Sequence, residues 1–335
     1  MIIPDIPTYK EILDKAFSRA RKSGEKLRTL RIPRNVKYRR IEETKIQTAC
    51  DVMISTLKRI LDKTPIIDEL PEFYQDYIDV TVGIDELKKS LGAINRAIKI
   101  ISQLKREYTK RIKFSSPKEA YKLRREIYGR ISSVIKEIKD DLDFLDFAKN
   151  RLKNMPTIDF DAVTVVIAGY PNVGKSTLLR KLTGANPEVA EYPFTTKGIQ
   201  IGYRKIGWGK LQVVDTPGLL DRPVDKMNEI ELQALVALEN LADLMIFIFD
   251  PSETCGYPLE KQFALYKNLR KVFNVPIISV FNKIDLVENL KYLKKYINKV
   301  ENPILVSATE GKGLKKLIAK LEELYERLER KIWKT

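Results

Sequence analysis

The sequence GYPNVGKS at residues 169–176 has the residue types and spacing of a phosphate-binding loop. It fits the pattern G-x-x-x-x-G-K-[ST], in which glycines let the backbone wrap around an anion with its N–H groups pointing inward. An apolar stretch, TVVIA, precedes the motif, and a helical stretch beginning STLLRKL follows its lysine. The positive end of that helix would face the same anion. The segment is therefore predicted to bind the phosphates of a nucleotide.

This loop is predicted to supply most of the contacts to the phosphates. Lys175 is expected to reach the β- and γ-phosphates, and the Ser176 hydroxyl is expected to bind Mg²⁺. The other loop residues predicted to contact the nucleotide are Gly169, Pro171, Asn172, Val173, Gly174 and Thr177.

A second motif, DTPG, ends the apolar stretch LQVVD, and its aspartate lies 39 residues after Ser176. Asp215 is predicted to hold Mg²⁺ through water, and the Gly218 N–H is predicted to meet the γ-phosphate. Loss of that phosphate would release Gly218 and the segment after it, as in a switch between order and disorder. An ordinary turn at a strand end is the alternative, but the distance from Ser176 argues against it.

The third and fourth motifs indicate which base the nucleotide carries. Asn282, Lys283 and Asp285 follow the apolar stretch IISVF. A carboxylate at Asp285 can accept from both N1–H and N2–H of guanine, whereas adenine has no such donor pair and would leave the carboxylate unpaired. Ser307 and Ala308 follow the stretch ILV, and the Ala308 N–H is predicted to donate to guanine O6. Together the four motifs predict a guanine nucleotide.

These four ordered motifs resemble the Ras-like guanine-nucleotide-binding domain over about residues 160–330. GYPNVGKS followed by EYPFTTKGIQIG is similar to the Obg-like group of GTPases. The preceding helical region, the run NLADLMIFIFDPSETCGYPLEKQ and the basic N-terminal stretch resemble the archaeal branch of the nucleolar GTP-binding protein family. The resemblance implies binding and hydrolysis of GTP and a role in maturation of the large ribosomal subunit.

The resemblance also places a mobile switch at Phe194-Thr195-Thr196. It implies that Thr196 caps the magnesium site, with Thr195 as the alternative residue. The segment could instead be a plain loop with no role in binding. Lys175, Thr196 and Gly218 are then the candidate catalytic residues. Asn172 stands where potassium-activated relatives coordinate K⁺ with an asparagine, although it could equally well only shape the loop.

The expected hydrolysis is slow. Many Ras-like enzymes orient the attacking water with a glutamine directly after the DxxG glycine. Here that position is Leu219, followed by Leu220, and the chain contains no histidine. No arginine finger is identifiable from the sequence, so activation by a partner or by an ion is predicted.

The chain has 335 residues, enough for about two domains. In residues 1–155 apolar residues recur at steps of three and four, which predicts an all-α antiparallel helical bundle. Residues 156–335 alternate short β-rich runs with helical patterns, which predicts an α/β domain with a mostly parallel sheet. With the resemblance, this second domain is expected to be a Ras-like P-loop GTPase domain. The predicted strands are Val163–Ala168, Ile199–Tyr203, Leu211–Asp215, Leu244–Asp250, Ile277–Phe281 and Ile304–Val306.

The net charge of +16 is concentrated in the first domain, which carries +12, while the second carries +4. Residues 15–40 contain eleven basic residues and one acidic residue. Gly24, Pro33 and Asn35 are predicted to break this stretch into irregular pieces. A stretch of this kind would bind RNA phosphates in a salt-dependent way, with a solvated surface as the alternative. The eleven residues are Lys15, Arg19, Arg21, Lys22, Lys26, Arg28, Arg31, Arg34, Lys37, Arg39 and Arg40. A second, weaker basic cluster consists of Lys105, Arg106, Lys110, Arg111 and Lys113.

Several classes of protein are disfavoured. Without histidine there is no Ser-His-Asp triad or histidine zinc site, and Cys50 and Cys255 cannot form a CxxC site. No signal peptide is recognisable, and the longest apolar run, Leu244–Phe249, is far too short to span a membrane. We therefore expect a soluble, cytoplasmic monomer. The alternative function is a regulatory GTPase that acts on a protein or a membrane surface through its basic helical domain.

Overall fold

The computed structural model describes residues 3–29, 31, 33–184, 187–190, 198–207, 209–222, 224, 227–287 and 290–332. The side chains of residues 35, 230, 290–292 and 329–332 are outside this description. Among the described residues, no helix is long and apolar enough to cross a membrane.

The chain forms two compact units, which consist of Met1–Leu70 with Thr81–Lys153 and of Pro71–Val80 with Asn154–Thr335. The predicted boundary at residue 155 lies close to this division, but the sequence did not indicate that Pro71–Val80 joins the second unit. Tyr74 explains the difference, because its hydroxyl donates to the Pro156 carbonyl at 3.2 Å and accepts from the Ile158 N–H at 3.0 Å.

The first unit is helical, as predicted. Its helices are α1 (Tyr9–Lys26), α2 (Arg34–Lys63), α4 (Ile84–Lys113), α5 (Pro117–Glu137) and α6 (Lys139–Leu152). The helix α3 (Glu72–Val82) belongs to the second unit except for its last two residues. α2 is central and contributes the buried side chains of Ile46, Met53 and Leu57. Each such side chain stabilises the fold by about 1.5–3 kcal/mol on transfer from water.

The basic stretch between residues 15 and 40 is more regular than predicted. α1 continues through Gly24 to Lys26, and α2 already begins at Arg34 and includes residue 35. Gly24 is buried, and a Cβ atom there would lie 2.6 Å from the Lys45 Cε atom of α2. The glycine therefore permits close helix packing, and the prediction that it breaks the helix was wrong.

The second unit contains a seven-stranded sheet in the order β2-β3-β4-β1-β5-β6-β7. The strands are β1 (Val163–Ala168), β2 (Glu188–Ala190), β3 (Ile199–Ile206), β4 (Gly209–Asp215), β5 (Leu244–Phe249), β6 (Ile277–Phe281) and β7 (Ile304–Leu305). β4, β1, β5, β6 and β7 pair in parallel, whereas β3 is antiparallel to both β2 and β4. The predicted mostly parallel sheet is thus confirmed.

Helices alternate with these strands along the chain. They are α7 (Lys175–Thr183), α8 (Glu229–Leu241), α9 (Leu259–Val272), α10 (Leu290–Ile297) and α11 (Leu314–Ile332). β1 and β5 are buried along their whole length, as is usual for central strands of a parallel sheet with both faces covered. Because parallel strands end at the same edge, the segments after β1, β4, β5, β6 and β7 converge there.

Candidate nucleotide-binding site

A cavity of about 750 Å³ opens at the carboxyl edge of this sheet. Twelve of the predicted site residues line it, drawn from segments that are far apart in the sequence. They are Pro171, Asn172, Gly174, Lys175, Ser176, Thr177, Asp215, Gly218, Asn282, Lys283, Asp285 and Ala308. Five further residues line it without having been predicted, namely Gln200, Pro217, Asp221, Leu286 and Thr309.

Three predicted residues do not line the cavity. Gly169 donates its N–H to the Leu220 carbonyl at 3.1 Å, and the fully buried Val173 supports the loop from below. Ser307 is also fully buried, and its hydroxyl accepts from the Glu310 N–H at 3.3 Å. These residues shape the loops that carry the site. Thr196, with its alternative Thr195, lies outside the described residues, so its predicted role stays a prediction.

Asn282 connects the phosphate-binding loop to the fourth motif. Its side-chain amide donates to the Val173 carbonyl at 2.8 Å and accepts from the Ala308 N–H at 2.9 Å. Gly174, with φ of +102°, leaves the room for this, because a Cβ atom there would lie 2.3 Å from Asn282 Nδ2. The predicted donation from Ala308 to guanine O6 would therefore share or replace an existing hydrogen bond.

Lys175 occupies the first turn of α7 and is 7% exposed. Its ammonium group donates to the carbonyls of Gly169 at 2.7 Å and Tyr170 at 3.0 Å. Burial lowers the pKa of Lys175 because the charged form loses its hydration, and the charge of Asp215 opposes this shift. A polyanion in the cavity would add further negative charge beside this buried cation.

Ser176 and Asp215 form a pair of oxygen ligands. The Ser176 hydroxyl donates to Asp215 Oδ2 at 2.8 Å, while Asp215 Oδ1 is buried and has no hydrogen-bond partner among the described residues. Burial raises the pKa of the Asp215 carboxyl, against the opposing charge of Lys175. Hydroxyl and carboxylate oxygens are the ligands that Mg²⁺ prefers, and the unpartnered oxygen is available to a metal or its water. The residues thus fit the predicted magnesium site.

The Gly218 N–H, predicted to meet a γ-phosphate, donates here to Asp221 Oδ2 at 2.9 Å. Asp221 was not singled out from the sequence, although it follows the DTPG motif closely. The two residues between them, Leu219 and Leu220, are 1% and 0% exposed and pack into the core. Both side chains are apolar and buried, so neither presents a polar group to the cavity.

Asp250, which directly follows β5, is a residue that sequence reasoning missed. Its side chain is fully buried, and Oδ2 accepts from Lys283 Nζ at 2.8 Å and from the Cys255 N–H at 2.8 Å. Burial alone would raise the pKa of the Asp250 carboxyl, but hydrogen bonds from Lys283 and Ser252 outweigh it and lower the pKa. Asp250 therefore positions Lys283 beside the Asp285 turn. Its place at the carboxyl end of a central strand could have pointed to it.

The loop after Asp250 also contacts the phosphate-binding loop. Gln262 is fully buried and donates to the carbonyls of Asp250 at 3.1 Å and Tyr257 at 2.7 Å, which fixes the loop. The Tyr257 ring stacks on Tyr170 with 4.1 Å between centroids. Tyr170 is the second residue of GYPNVGKS, so the loop after β5 buttresses the start of the phosphate-binding loop.

Comparison with known families matches both units. The model described as the NOG1 N-terminal helical domain matches residues 2–159, and the model of nucleolar GTP-binding protein 1 matches residues 229–285. An uncharacterized protein of Methanocaldococcus jannaschii is 47% identical over 85% of this chain and 81% of its own length.

Relatives that carry the name nucleolar GTP-binding protein 1 are longer than this chain. Nucleolar GTP-binding protein 1 of Eremothecium gossypii is 34% identical over 85% of this chain, which spans 44% of that protein. The protein of the same name from Encephalitozoon cuniculi is 32% identical over 91% of this chain, which spans 61% of it. A crystal structure from Plasmodium falciparum, assigned to nucleolar GTP-binding protein 1, is 31% identical over 53% of this chain with a TM-score of 0.46.

Proposed function

Because the chain belongs to the nucleolar GTP-binding protein 1 family, we propose that it is a GTP-binding and GTP-hydrolysing switch that contacts ribosomal RNA during maturation of the large ribosomal subunit. One observation carries the nucleotide part of the proposal. Lys175, the Ser176–Asp215 pair and Asp285 line a single cavity, although up to 110 residues separate them in the sequence.

Each part of the nucleotide has a partner in this arrangement. The backbone of Gly174 and the Lys175 ammonium group would hold the phosphates at the start of α7. Asp285 would accept from N1–H and N2–H of guanine. Lys283, held by Asp250, would cover the base with its aliphatic stem.

Magnesium would be bound by Ser176 and, through water, by Asp215. When bound, the ion would neutralise charge on the β- and γ-phosphates. The hydrogen bond of 2.8 Å from Ser176 Oγ to Asp215 Oδ2 supports this proposal, because groups that close could bind one ion. Thr196 completes the proposed ligand set.

Hydrolysis is proposed to be slow in the isolated chain. Leu219 stands at the usual glutamine position and is 1% exposed, so it offers no polar group to the attacking water. Lys175 and the Gly218 N–H would stabilise charge on the phosphates, but they would not activate water. The full rate is therefore expected only with a partner or an activating ion.

We predict that Asp221→Asn increases the preference for GTP over GDP. The Gly218 N–H now binds the Asp221 carboxylate at 2.9 Å, and a γ-phosphate would have to displace that negative charge. The affinity for a non-hydrolysable GTP analogue should rise about tenfold, as expected for a charged hydrogen bond. Calorimetric titration with the analogue and with GDP measures the difference. Glu229→Gln, an exposed change on α8, serves as the control, and equal changes for both nucleotides would contradict the prediction.

We further propose that K⁺ binds near Asn172 and accelerates hydrolysis. Asn172 lines the cavity with φ of +63°, a conformation that asparagine tolerates better than most residues. GTP hydrolysis should be at least about tenfold faster in KCl than in NaCl, because the ion would stabilise developing charge. Asn172→Gly removes the side chain without backbone strain and should abolish the difference. Equal rates of the unaltered chain in both salts would rule out the ion.

The proposed RNA contact rests on the basic stretch in the first unit. Of its eleven cations, nine are exposed, and Lys37 and Arg39 are half-buried. Within the described part of the chain, no carboxylate lies within 4.0 Å of any of them. Cations without acidic neighbours remain available to phosphates, and release of counterions would favour the association.

Co-sedimentation with large-subunit particles tests this proposal. Binding should depend on whether GTP or GDP is present, and it should weaken at least about tenfold when Arg28, Arg31 and Arg34 are replaced by glutamine. Replacement of the exposed Lys315 and Lys316 in α11 is the control for a change of charge elsewhere. Binding to anionic liposomes but not to the particles would contradict the proposal and favour the regulatory alternative.

A further inference from the structure

The connection between α4 and α5 presents an aromatic ring to solvent. Phe114 is 85% exposed, the highest value among the large hydrophobic residues that the structure describes. The residue follows α4 directly and precedes the Ser115-Ser116-Pro117 turn. An exposed phenylalanine at a helix end contributes nothing to the core, so its exposure is unexplained by folding.

The turn that carries Phe114 is held by several hydrogen bonds. The Phe114 N–H donates to the carbonyls of Arg111 and Ile112, and the Ser115 N–H donates to Ile112 at 3.1 Å. α5 begins with a capping box in which Ser116 and Glu119 exchange hydrogen bonds, and Pro117 fixes its first turn. The backbone below the ring is therefore ordered before any partner binds, which reduces the entropic cost of binding.

The surroundings of Phe114 are strongly basic. Residues 105–125 contain nine basic and two acidic residues. Both acids have local partners, because Glu119 bonds the Ser116 N–H at 2.8 Å and Glu107 pairs with Arg111 at 3.3 Å. Lys110, Lys113 and Lys118 are exposed, and no carboxylate of the described chain comes within 4.0 Å of them.

A groove between α2 and α4 extends to the last residue of α4, which directly precedes Phe114. It has a volume of about 440 Å³, and its basic lining consists of Lys105, which pairs with Asp51 at 2.6 Å, and of Arg106, Lys110 and Lys113. Thr109 also lines it, and its buried hydroxyl oxygen has no hydrogen-bond partner within the described residues. The groove ends at Lys113, the residue directly before Phe114. Cations along a groove, with an exposed aromatic residue directly after the last lining residue, match the chemistry of a single RNA strand.

We propose that the last turn of α4 together with the α4–α5 connection, here called the hairpin end, binds RNA at an unpaired base. Phe114 would stack on the base, and Lys110 and Lys113 would contact the flanking phosphates. The inference rests on the proposed function, which it deepens by naming the kind of RNA element recognised. Bases in loops and bulges stack readily on aromatic side chains, whereas paired bases are not accessible. A membrane surface fits less well, because one ring offers little apolar area for insertion.

Fluorescence anisotropy with a labelled 12-nucleotide single-stranded RNA and with a duplex of the same length tests the inference on the full chain. Phe114→Ala should weaken single-strand binding about tenfold and leave duplex binding unchanged, since stacking acts only on unpaired bases. Phe114→Trp should retain affinity, and its fluorescence should be quenched by the stacked base. Phe114→Leu should behave like Phe114→Ala. Lys113→Gln should reduce the salt dependence of the RNA affinity by the amount expected for the loss of about one phosphate contact.

Phe147→Ala in α6 is the matched control, since Phe147 is 47% exposed and lies outside the hairpin end. Unchanged single-strand affinity of Phe114→Ala, full affinity of Phe114→Leu, or a loss confined to phosphatidylserine vesicles would each overturn the inference. If the chain binds large-subunit particles normally but Phe114→Ala has no effect on RNA, only this inference fails. If Phe114→Ala weakens RNA binding but the chain never joins the particles, only the proposed function fails.

Discussion

Replacing Asp285 by asparagine is expected to lower the affinity for GDP about a hundredfold and to raise the affinity for xanthosine diphosphate. The carboxylate lines the cavity in the turn after Lys283 and would accept two hydrogen bonds from guanine. An amide presents a donor to one of those N–H groups, so one bond is lost and a donor is left unpaired. Xanthine carries an oxygen where guanine carries the amino group, and the amide would match it.

Calorimetric titration of both nucleotides against wild type and Asp285→Asn measures this exchange of specificity. Glu310→Gln is a suitable control, because Glu310 pairs with Lys312 in a neighbouring turn without lining the cavity. A variant that kept its preference for GDP would show that Asp285 does not read the base. Loss of affinity for both nucleotides would indicate that the variant is misfolded, which circular dichroism would reveal.

Lys175→Met is expected to reduce nucleotide affinity about a thousandfold while the fold remains intact. A cation about 4 Å from a phosphate contributes about 4 kcal/mol at an effective dielectric of 20, and the methionine retains only the apolar stem. The same change removes a buried charge. In the absence of nucleotide, the thermal midpoint of the variant should therefore stay the same as in wild type or rise. Lys181→Met, an exposed position later in α7, should alter neither quantity.

The pH dependence of stability gives a second readout for Lys175. Burial lowers its pKa in the folded chain, so the protonated lysine costs stability at neutral pH. That cost should diminish as the pH rises through the folded-state pKa. Chemical denaturation of the nucleotide-free chain should show this alkaline gain in wild type and lose it in Lys175→Met. An unchanged pH profile, or nucleotide binding close to wild type, would contradict the assigned role.

The phosphate-binding loop, the DTPG motif and the Asn282–Asp285 turn could be predicted because each is short and local. An apolar run fixes the strand, and a glycine or aspartate directly after it fixes the turn. Parallel strands then bring these turns to one edge of the sheet. β2 was missed, because three residues with two exposed side chains carry no periodic signal.

The side-chain contacts of Asp250 and Asn282 could be derived only from the folded chain. Asp250 pairs with Lys283, 33 residues later, and Asn282 bonds to Val173, 109 residues earlier. These separations in sequence do not indicate which residues make contact, because the entropic cost of closing a loop rises only slowly with its length. The hydrogen bond from the Gly218 N–H to Asp221 joins residues that are close in sequence. It was nevertheless missed, because the DTPG motif predicted that this N–H is available to a γ-phosphate.

The sequence by itself determined the two-part architecture, the mostly parallel sheet, the family and twelve of the residues that line the cavity, because these depend on periodicity and on short motifs. The tertiary structure decided which side chains hold those motifs in place, that Gly24 permits close packing of two helices, and that Phe114 is exposed directly after the last residue that lines a basic groove. Burial and partnering depend on what the rest of the chain brings to a residue. Phe114 and the buried Phe73 are the same residue type, and only the packing around each ring distinguishes them.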